Sequence, residues 1–294
     1  MSLQIKLPTL IVDAVKNLYS AGLPRGDSTG WRGIDELYTV APKQWTLVSG
    51  VPGMGKSEWL DALLVNVARA WGWTFALYSP ENFPVELHVA KLAEKYIGKP
   101  FGRGPTERMT EGEVGEALNW INEHFMWLEP AYKNHDALLE AAAKHRCASD
   151  KFGVVIDPWN QLEHLRPAGL SETEYIARAL SDVTQWVRVT DSHAWIVAHP
   201  SKLYRGNDGK YPVPTGYDIA GSAHWFNKSD NIIVINRDKT GDTQEVEIWV
   251  QKVRFRNIGK VGLGTLSYDR VTGRYFERPP IHLVESHDYA SRDD

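Results

Sequence analysis

The fold of this chain is decided by one short stretch, Gly50-Val51-Pro52-Gly53-Met54-Gly55-Lys56-Ser57. It matches G-x-x-x-x-G-K-[ST], the pattern of a phosphate-binding loop. The apolar, β-prone run 45–49 precedes it, and residues 57–70 follow with apolar side chains at helical spacing. A strand, a glycine turn and a helix in this order direct backbone N–H groups and a helix N-terminus at an anion. A glycine-rich turn without a ligand is the alternative, but it does not account for the complete motif.

Each part of this loop has a chemical task toward a nucleoside triphosphate. Glycine lacks a Cβ, so the backbone can approach phosphate oxygens closely. Lys56 can reach the β- and γ-phosphates, and the Ser57 hydroxyl can ligate Mg²⁺. We group Glu58, the next residue of the predicted helix, with the nucleotide-binding residues. The loop therefore predicts that the chain binds ATP, or another nucleoside triphosphate, together with Mg²⁺.

Composition limits the classes of protein that the chain can belong to. Its 294 residues fit one large domain, or one domain with an appendage, and a hydrophobic fraction of 43% is ample for a core. No apolar run approaches the ~18 residues of a membrane span, so we expect no membrane partner. A net charge of -4 argues against binding nucleic acid by bulk positive charge and leaves a local basic channel open. The only cysteine, Cys147, excludes internal disulfides and favours a reducing, cytoplasmic setting.

Predicted strands and helices alternate along most of the chain. The strands lie at 45–49, 73–79, 125–128, 153–157, 194–199, 230–236, 244–253, 261–268 and 274–276, and the helices at 57–70, 84–97, 111–123, 136–147 and 172–190. Alternating strands and helices followed by a run of strands predict an α/β fold. Its central sheet is mostly parallel, is flanked by helices, and has an antiparallel extension at the C-terminal end. The polar, Gly/Pro-rich segment 200–217 is typical of a mobile loop.

The two ends of the chain differ from this pattern. Residues 7–21 predict an amphipathic helix that is too short to be stable alone, so it must dock on this domain or on a neighbouring subunit. We therefore divide the chain into a linker, 1–27, an ATPase domain, 28–284, and a flexible tail, 285–294. The opening Met-Ser-Leu is typical of a cloning remnant, which would make the chain part of a longer protein.

Asp157 ends a fully apolar predicted strand about a hundred residues after the loop. A carboxylate at this position holds Mg²⁺ through water, beside the phosphates, in P-loop enzymes. The alternative is an aspartate that merely occupies a strand-to-turn junction, helped by Pro158. Because the loop is present, we favour the Mg²⁺ role.

Glu81 and His199 also end predicted strands. Ligands of open α/β sheets gather at the carboxyl ends of strands, so a carboxylate at Glu81 could orient the water that attacks the γ-phosphate. Equally, Glu81 could have no role beyond its position near the first turn of the helix that follows it. His199 could sense the γ-phosphate and pass its presence to the loop 200–217, although a lone histidine is more often structural.

Three cationic residues recur at every second position near the end of a predicted strand: Lys252, Arg254 and Arg256. Because successive side chains of a strand point to opposite faces, all three are predicted on one face. A solvated edge protected by cationic side chains is the ordinary interpretation. The other is an arginine finger that reaches the nucleotide of an adjacent subunit.

Together these motifs resemble the RecA-like motor domain of hexameric replicative DNA helicases, the DnaB family, and within it the phage primase-helicase and Twinkle branch. The similarity runs from about Thr29 to about Phe276. It rests on the phosphate-binding loop, Glu81, Asp157, His199, the segment 218–230 (Asp-Ile-Ala-Gly-Ser-Ala-His-Trp-Phe-Asn-Lys-Ser-Asp) and Lys252-x-Arg254.

This resemblance implies a role for each matching residue. Glu81 would be the catalytic carboxylate, and His199 would occupy the phosphate-sensor position, where other branches have Gln. Lys252 and Arg254 would reach into the neighbour's nucleotide. The base would lie between two side chains, Arg237 and Tyr268. Residues assigned to single-stranded DNA are Gly221 and Ser222, through backbone N–H groups, and Lys202, Arg205, Lys210 and Lys228, through charge.

The resemblance also implies partners, with some departures. The expected partners are single-stranded DNA, further copies of the chain in a ring (a hexamer), and primase or other replisome proteins, in a bacterial or phage setting. Ala220 stands where many relatives have Arg, so Lys228 or Lys202 would have to supply that phosphate contact. Pro158 stiffens the loop after Asp157. We expect no priming activity, because primase-like zinc cysteines are not present.

Two other kinds of ATPase share the same core. A RecA- or RadA-like recombinase would form filaments on DNA instead of closed rings. A KaiC-like ATPase of the RecA fold would act on protein and bind no DNA.

Overall fold

The computed structural model describes residues 7–129, 132–145, 150–201, 203–206, 211–221, 223–237 and 244–277. Several residues assigned above lie outside these ranges: Lys202, Lys210, Ser222, Cys147 and the tail 285–294. No helix in the described ranges is long and apolar enough to cross a bilayer.

Nine strands of the described chain form one sheet. They are β1 (Gln44–Ser49), β2 (Thr74–Tyr78), β3 (Phe125–Trp127), β4 (Phe152–Ile156), β5 (His193–Val197), β6 (Asn231–Asn236), β7 (Glu245–Val253), β8 (Gly262–Tyr268) and β9 (Tyr275–Phe276). Their order across the sheet is β3-β2-β4-β5-β1-β6-β7-β8-β9. Every pair from β3 to β6 is parallel, and the pairs from β6 to β9 are antiparallel. The predicted mostly parallel sheet with an antiparallel extension is confirmed.

The helices lie between the strands in the chain order expected for α/β units. They are α1 (Val12–Ala21), α2 (Arg32–Asp35), α3 (Lys56–Trp71), α4 (Val85–Ile97), α5 (Glu111–His124), α6 (His135–Lys144), α7 (Glu172–Val189) and α8 (His224–Lys228), with 3-10 turns at Pro8–Leu10 and Trp159–Gln161. The segment predicted as one helix at 7–21 is thus a short 3-10 turn followed by α1. None of the residues of α1 is buried in the single chain.

The core has two layers, one on each face of the sheet. Successive side chains of a strand point to opposite faces, so Val48 packs with the layer of α3 to α5 and Leu47 with the layer of α6 and α7. All residues of β1, β2, β4 and β5 are buried. Burial on both faces explains why these strands are continuous apolar runs in the sequence instead of alternating ones.

Strand ends differ slightly from the sequence prediction. β4 ends at Ile156 and β5 at Val197, so Asp157 and His199 follow their strands and do not belong to them. β2 ends at Tyr78, three residues before Glu81. These residues therefore lie on loops beyond the carboxyl edge of the sheet, where their side chains are not constrained to point into either core layer.

Candidate active site

The phosphate-binding loop connects β1 to α3 and crosses directly over β6. Gly50 has a φ of +146°, and a Cβ on it would lie 2.3 Å from the Ile235 carbonyl oxygen, so no other residue fits there. Gly55 is left-handed, with a φ of +88°, and is the N-cap of α3. The glycines of the motif thus let the loop turn tightly onto the helix N-terminus, as the sequence predicts.

Lys56 is the first residue of α3 and is buried. Its ammonium folds back over the loop and donates hydrogen bonds to the carbonyl oxygens of Gly50, at 3.0 Å, and Val51, at 3.4 Å. The positive charge is therefore held at the loop that is expected to bind phosphate. A buried ammonium in this position is suited to oxygens of a nucleotide that lie against the same backbone.

The half-buried Ser57 hydrogen-bonds to the buried Asp157 beside Lys56. Asp157 is only 5% exposed, and this burial raises the pKa of its carboxyl to about 6. The negative charges of Asp61 and Glu81 act in the same direction, whereas Ser57 and Lys56 oppose the shift. Grouped carboxylates and a hydroxyl provide the oxygen ligands that Mg²⁺ prefers, and a bound cation would neutralise the repulsion between the negative charges. Ser57 and Asp157 are the residues that would hold the ion.

Glu81 and His199 border the same crevice. The charge of Glu81 acts on both Asp157 and His199, so the three groups lie close together. Burial and the charge of Lys56 lower the pKa of His199. The backbone N–H of His199 donates to Asn160 Oδ1 at 3.1 Å, while its Nδ1 is buried and has no hydrogen-bond partner in the described structure.

Four adjacent strands explain this arrangement. In the order β2-β4-β5-β1, their carboxyl ends lead to Glu81, Asp157, His199 and the phosphate-binding loop. The structure therefore brings these predicted residues together at one edge of the sheet. It is the edge at which open α/β sheets bind their ligands.

Glu58 has partners other than a nucleotide. Its carboxylate pairs with Lys91 at 2.9 Å and with Lys95 at 2.7 Å, both on α4. Burial alone would raise the pKa of Glu58, but Lys95 and Lys91 hold it below its usual range. The Glu58 carboxylate therefore joins α3 to α4, and the grouping of Glu58 with the nucleotide-binding residues stays a prediction.

The contacts between α3 and α4 are not evident from the sequence. The buried His88 of α4 contacts Asp61 of α3 through Nε2, at 3.1 Å. Opposite charges at helical spacing are the only sequence signal, with Glu58 and Asp61 on α3 and His88, Lys91 and Lys95 on α4. That signal does not say which helices meet.

Arg237 and Tyr268 contact each other beside the phosphate-binding loop. The Arg237 guanidinium carbon lies 5.3 Å from the centroid of the Tyr268 ring. Tyr268 also packs on Tyr275, with ring centroids 5.0 Å apart, and the Tyr275 hydroxyl lies next to Gly55. Burial and the negative charge of Glu58 raise the pKa of Tyr268 to about 12, so it stays an uncharged ring. A base between Arg237 and Tyr268 would have to separate them, and this role stays a prediction.

Lys252 and Arg254 lie at the opposite edge of the sheet. Arg254 pairs with the buried Asp230 at 2.7 Å and donates to the carbonyl oxygen of Ser229 at 3.0 Å. Lys252 donates to the carbonyl oxygen of Phe226, and burial and the charge of Arg254 lower its pKa to about 8. Since Asp230 immediately precedes β6, both cations are separated from the chain's own phosphate-binding loop by the length of the parallel strands.

A β-bulge interrupts the strand alternation just before these cations. Ile232 pairs with Lys252 but Ile233 pairs with Val250, so one residue of β7 is extra. β7 ends at Val253. Arg254 therefore follows the strand, and Arg256 lies in the turn beyond it. The prediction that strand alternation puts all three cations on one face is therefore wrong. The positions of Lys252 and Arg254 are instead determined by their hydrogen bonds to backbone carbonyls of α8.

Three of the residues assigned to DNA lie within the described ranges. Arg205 is exposed, and its guanidinium carbon lies 5.0 Å from the ring centroid of Tyr211. Gly221 has a φ of +90°, and its carbonyl oxygen accepts from the Thr173 hydroxyl at 3.0 Å. Lys228 donates to the Ser181 hydroxyl and lines, with Arg254, a polar cavity of about 520 Å³. Their role toward DNA stays a prediction.

One histidine without metal-ligand spacing in the sequence has two carboxylates beside it in the structure. His135 Nε2 lies 3.2 Å from Asp136 and 3.4 Å from Asp182. The positions of the three ligand atoms would permit a metal ion. Asp182 is 47 residues away in the sequence, so no local motif exists. Both carboxylates are largely exposed, and their contacts with the imidazole account for the cluster.

Comparison with known proteins agrees with this geometry. No protein-family model matches the chain. Over 265 residues the chain is 40% identical to the "Twinkle homolog protein, chloroplastic/mitochondrial" of Arabidopsis thaliana, which covers 86% of the chain and 37% of that protein. The chain thus spans little more than a third of the length of this relative.

Solved structures show the same fold at low identity. One of them, a separately solved ATPase domain, superposes with a TM-score of 0.75 at 18% identity, over 94% of this chain and all of that one. A DnaB-like replicative helicase, solved to show its interactions with primase, gives the same score and identity and is covered over 69% of its length. The RadB recombinase scores 0.56 at 15% identity, over 86% of this chain and 99% of its own. The chain therefore has the fold of these ATPase domains, and most of its sequence is similar to a Twinkle homolog.

Proposed function

We propose that this domain is an ATP-driven replicative DNA helicase motor that forms a ring, moves along single-stranded DNA and separates a duplex. The observation that supports it best is the gathering of Lys56, Asp157, Glu81 and His199 at one sheet edge. It occurs in a chain 40% identical to a Twinkle homolog.

Hydrolysis needs a bound triphosphate, a placed water and stabilised negative charge. Lys56 and the backbone N–H groups of the loop bind the phosphates, and Ser57 with Asp157 would hold Mg²⁺. The ion, when bound, neutralises charge that develops on the phosphate oxygens. Glu81 orients the attacking water. His199, at the end of the neighbouring strand, lies where it can respond to the γ-phosphate.

Each ATP site is completed by a second copy of the chain. Arg254 and Lys252 lie at the sheet edge opposite their own loop, which supports a role toward another subunit's nucleotide and not toward their own. The exposed apolar side chains of Leu10, in the 3-10 turn before α1, and of Val15 and Leu18 in α1 fit a linker (1–27) that docks on the adjacent subunit. The division at 28–284 and 285–294, and a hexameric ring, belong to the same proposal.

DNA is bound by the segment 200–217 and by Gly221 with its neighbours. These follow His199 in the chain, so a change at the γ-phosphate is transmitted directly to the DNA contacts. Arg237 and Tyr268 hold the base of ATP. Primase or another replisome protein is the proposed further partner. A cytoplasmic, bacterial or phage setting is part of the proposal, although the Arabidopsis relative is named as chloroplastic/mitochondrial.

The experiment is a steady-state ATPase and fork-unwinding assay over a range of protein concentrations, with and without single-stranded DNA. We expect turnover per chain to rise with concentration, because subunits share sites, and to rise again with DNA. DNA binding should weaken as salt increases. Lys56→Ala is the inactive control. An assembled protein whose ATPase ignores DNA, and which unwinds nothing, contradicts the helicase proposal.

Two other ATPase classes are outcomes of the same assay. A recombinase would form filaments on DNA, which electron microscopy distinguishes from rings; the weaker superposition on RadB makes this the second candidate. A KaiC-like ATPase acting on protein would show turnover without any binding of single-stranded DNA.

A further inference from the structure

One lysine of α4 lies between the phosphate-binding helix and the segment that contains Glu81. Lys91 Nζ lies 2.9 Å from Glu58 Oε1, in the first turn of α3, and donates to Asn82 Oδ1 at 3.1 Å. Asn82 is the residue after Glu81. Lys91 therefore links two segments on either side of the catalytic crevice.

Asn82 determines the shape of the segment that follows β2. Its side-chain amide donates to Ser79 Oγ at 2.8 Å, and its backbone N–H donates to the Ser79 carbonyl oxygen at 3.1 Å. These contacts close a short turn over residues 79–82, with Glu81 exposed on it. Because Lys91 holds the Asn82 side chain, it holds this turn.

Lys91 can act as a fixed point because α4 is itself fixed on α3. Lys95, one turn further along α4, pairs with the same Glu58 at 2.7 Å and is only 2% exposed. At the start of α4, the buried His88 contacts Asp61 of α3 at 3.1 Å, and its Nδ1 accepts from Trp127 Nε1 at 3.2 Å. The Nε2 proton is thereby assigned to the Asp61 contact. α4 cannot slide along α3 without breaking these buried contacts.

We propose that Lys91 is a positioning residue for ATP hydrolysis, which holds the turn 79–82 so that Glu81 meets the water at the γ-phosphate. The inference rests on the proposed function, in which Glu81 orients that water. The charges of Asp61 and Asp157 also act on Lys91, which places its ammonium near the proposed Mg²⁺ site. It lies close to the chemistry without being one of the phosphate-binding residues.

A structural role and a positioning role predict different effects of removing Lys91. Its side chain is 40% exposed, and ion pairs of this exposure contribute little to stability. A misplacement of about 1 Å at a catalytic group, in contrast, can reduce turnover by about a hundredfold. A positioning residue should therefore affect kcat far more than it affects Tm.

The first test is Lys91→Ala in the assembled protein with single-stranded DNA. We expect kcat to fall about tenfold, the KM for ATP to stay within about twofold, and Tm to drop by less than about 3 °C. Lys91→Arg, which can still bridge Glu58 and Asn82, should recover most of the rate. The matched control is Lys144→Ala, which removes an exposed lysine–glutamate pair on α6 and should change nothing.

A double-mutant cycle tests whether Lys91 acts through Glu81. In the Glu81→Gln background, Lys91→Ala should lower kcat by less than about twofold, because the group it positions is gone. An equal loss in both backgrounds overturns the inference. Hydrogen exchange gives a readout without turnover: Lys91→Ala should speed exchange in residues 79–84, and unchanged exchange there also overturns it.

The failure of this inference can be distinguished from the failure of the proposed function. Full activity of Glu81→Gln would remove the proposed role of Glu81, and with it the route by which Lys91 affects hydrolysis. A strong effect of Glu81→Gln with none from Lys91→Ala would overturn only the role of Lys91.

Discussion

The two edges of the parallel sheet contain similar polar residues, but these residues differ in whether other protein groups pair with them. At the amino edge, His193 Nδ1 donates to the Ala41 carbonyl oxygen at 2.6 Å and Nε2 contacts the Thr46 hydroxyl at 2.9 Å. Asp230 accepts from the Trp45 N–H at 3.0 Å and pairs with Arg254. His193 and Asp230 thus both have protein partners at this edge, although Oδ1 of the buried Asn231 has no hydrogen-bond partner in the described structure.

The carboxyl edge lacks this balance. Asp157, Asp61 and Glu81 place like charges close together, and burial raises the pKa of Asp157 to about 6. One oxygen of the buried Asp61 and Nδ1 of His199 have no hydrogen-bond partner in the part of the chain that the structure describes. Native proteins leave few buried polar groups unpaired, and perturbed groups concentrate at functional sites. The amino edge stabilises the fold, and the carboxyl edge is prepared for a ligand.

The largest expected effect concerns Arg254. This residue lies at the amino edge, which stabilises the fold, and yet is proposed to act on the ATP of a neighbouring subunit. We expect Arg254→Ala to lower the ATPase of the assembled protein by about 10³-fold, the low end for an arginine finger. Arg254→Lys, which can keep the pair with Asp230, separates loss of the finger from loss of stability.

Mixing subunits gives the decisive outcome for Arg254. Inactive Glu81→Gln and Arg254→Ala chains should regain turnover when assembled together, since some interfaces then join an intact Glu81 to an intact Arg254. If the mixture stays inactive while mixed assembly is verified, Arg254 does not act across subunits.

Glu81→Gln tests whether the carboxyl edge is the site of hydrolysis. The amide keeps the shape of the side chain but cannot orient water as a carboxylate does, so hydrolysis should fall about 100-fold while Mg²⁺–ATP binding is kept. The exposed Glu86, in the first turn of α4, provides the matched control Glu86→Gln. Similar ATPase rates for the two variants would remove the distinction between these carboxylates.

His193 should show the smallest effect, and it concerns stability. Burial lowers its pKa to about 4 in the folded chain, although the bond to Ala41 opposes the shift. Because the unfolded chain takes up a proton near pH 6.5, stability is complete above that pH and is lost as the pH falls toward 4, by about 2 kcal/mol at pH 5.

Urea unfolding at pH 7 and pH 5 measures this loss. His193→Gln, which does not titrate, should lose clearly less stability over the same range. An equal decline in the two proteins would show that other groups produce the acid sensitivity.

The sequence was most informative where one local pattern determines the structure. The phosphate-binding loop and the apolar strands depend on neighbours in the chain, and Asp157 and His199 lie within two residues of the ends of the strands that the pattern predicts. Pairings between distant elements were not predictable. Asp61 with His88, and Arg254 with Asp230, join residues on different elements among many charged side chains, and only packing selects the partners. The two ion pairs of Glu58 were likewise not predictable, because its position in the motif says nothing about α4.

The antiparallel direction of β7 has a mechanical consequence. The strand starts beside Asn236, next to the residues proposed to hold the base, and runs back to Lys252 and Arg254. Its nine residues measure about 30 Å. In a closed assembly of the proposed kind, each copy would thus contain a stiff rod that joins the nucleotide it binds to the one it helps to cleave. Hydrolysis at one ATP site would then shift the cations of the same subunit at the next ATP site directly, because β7 connects the two as one rigid strand.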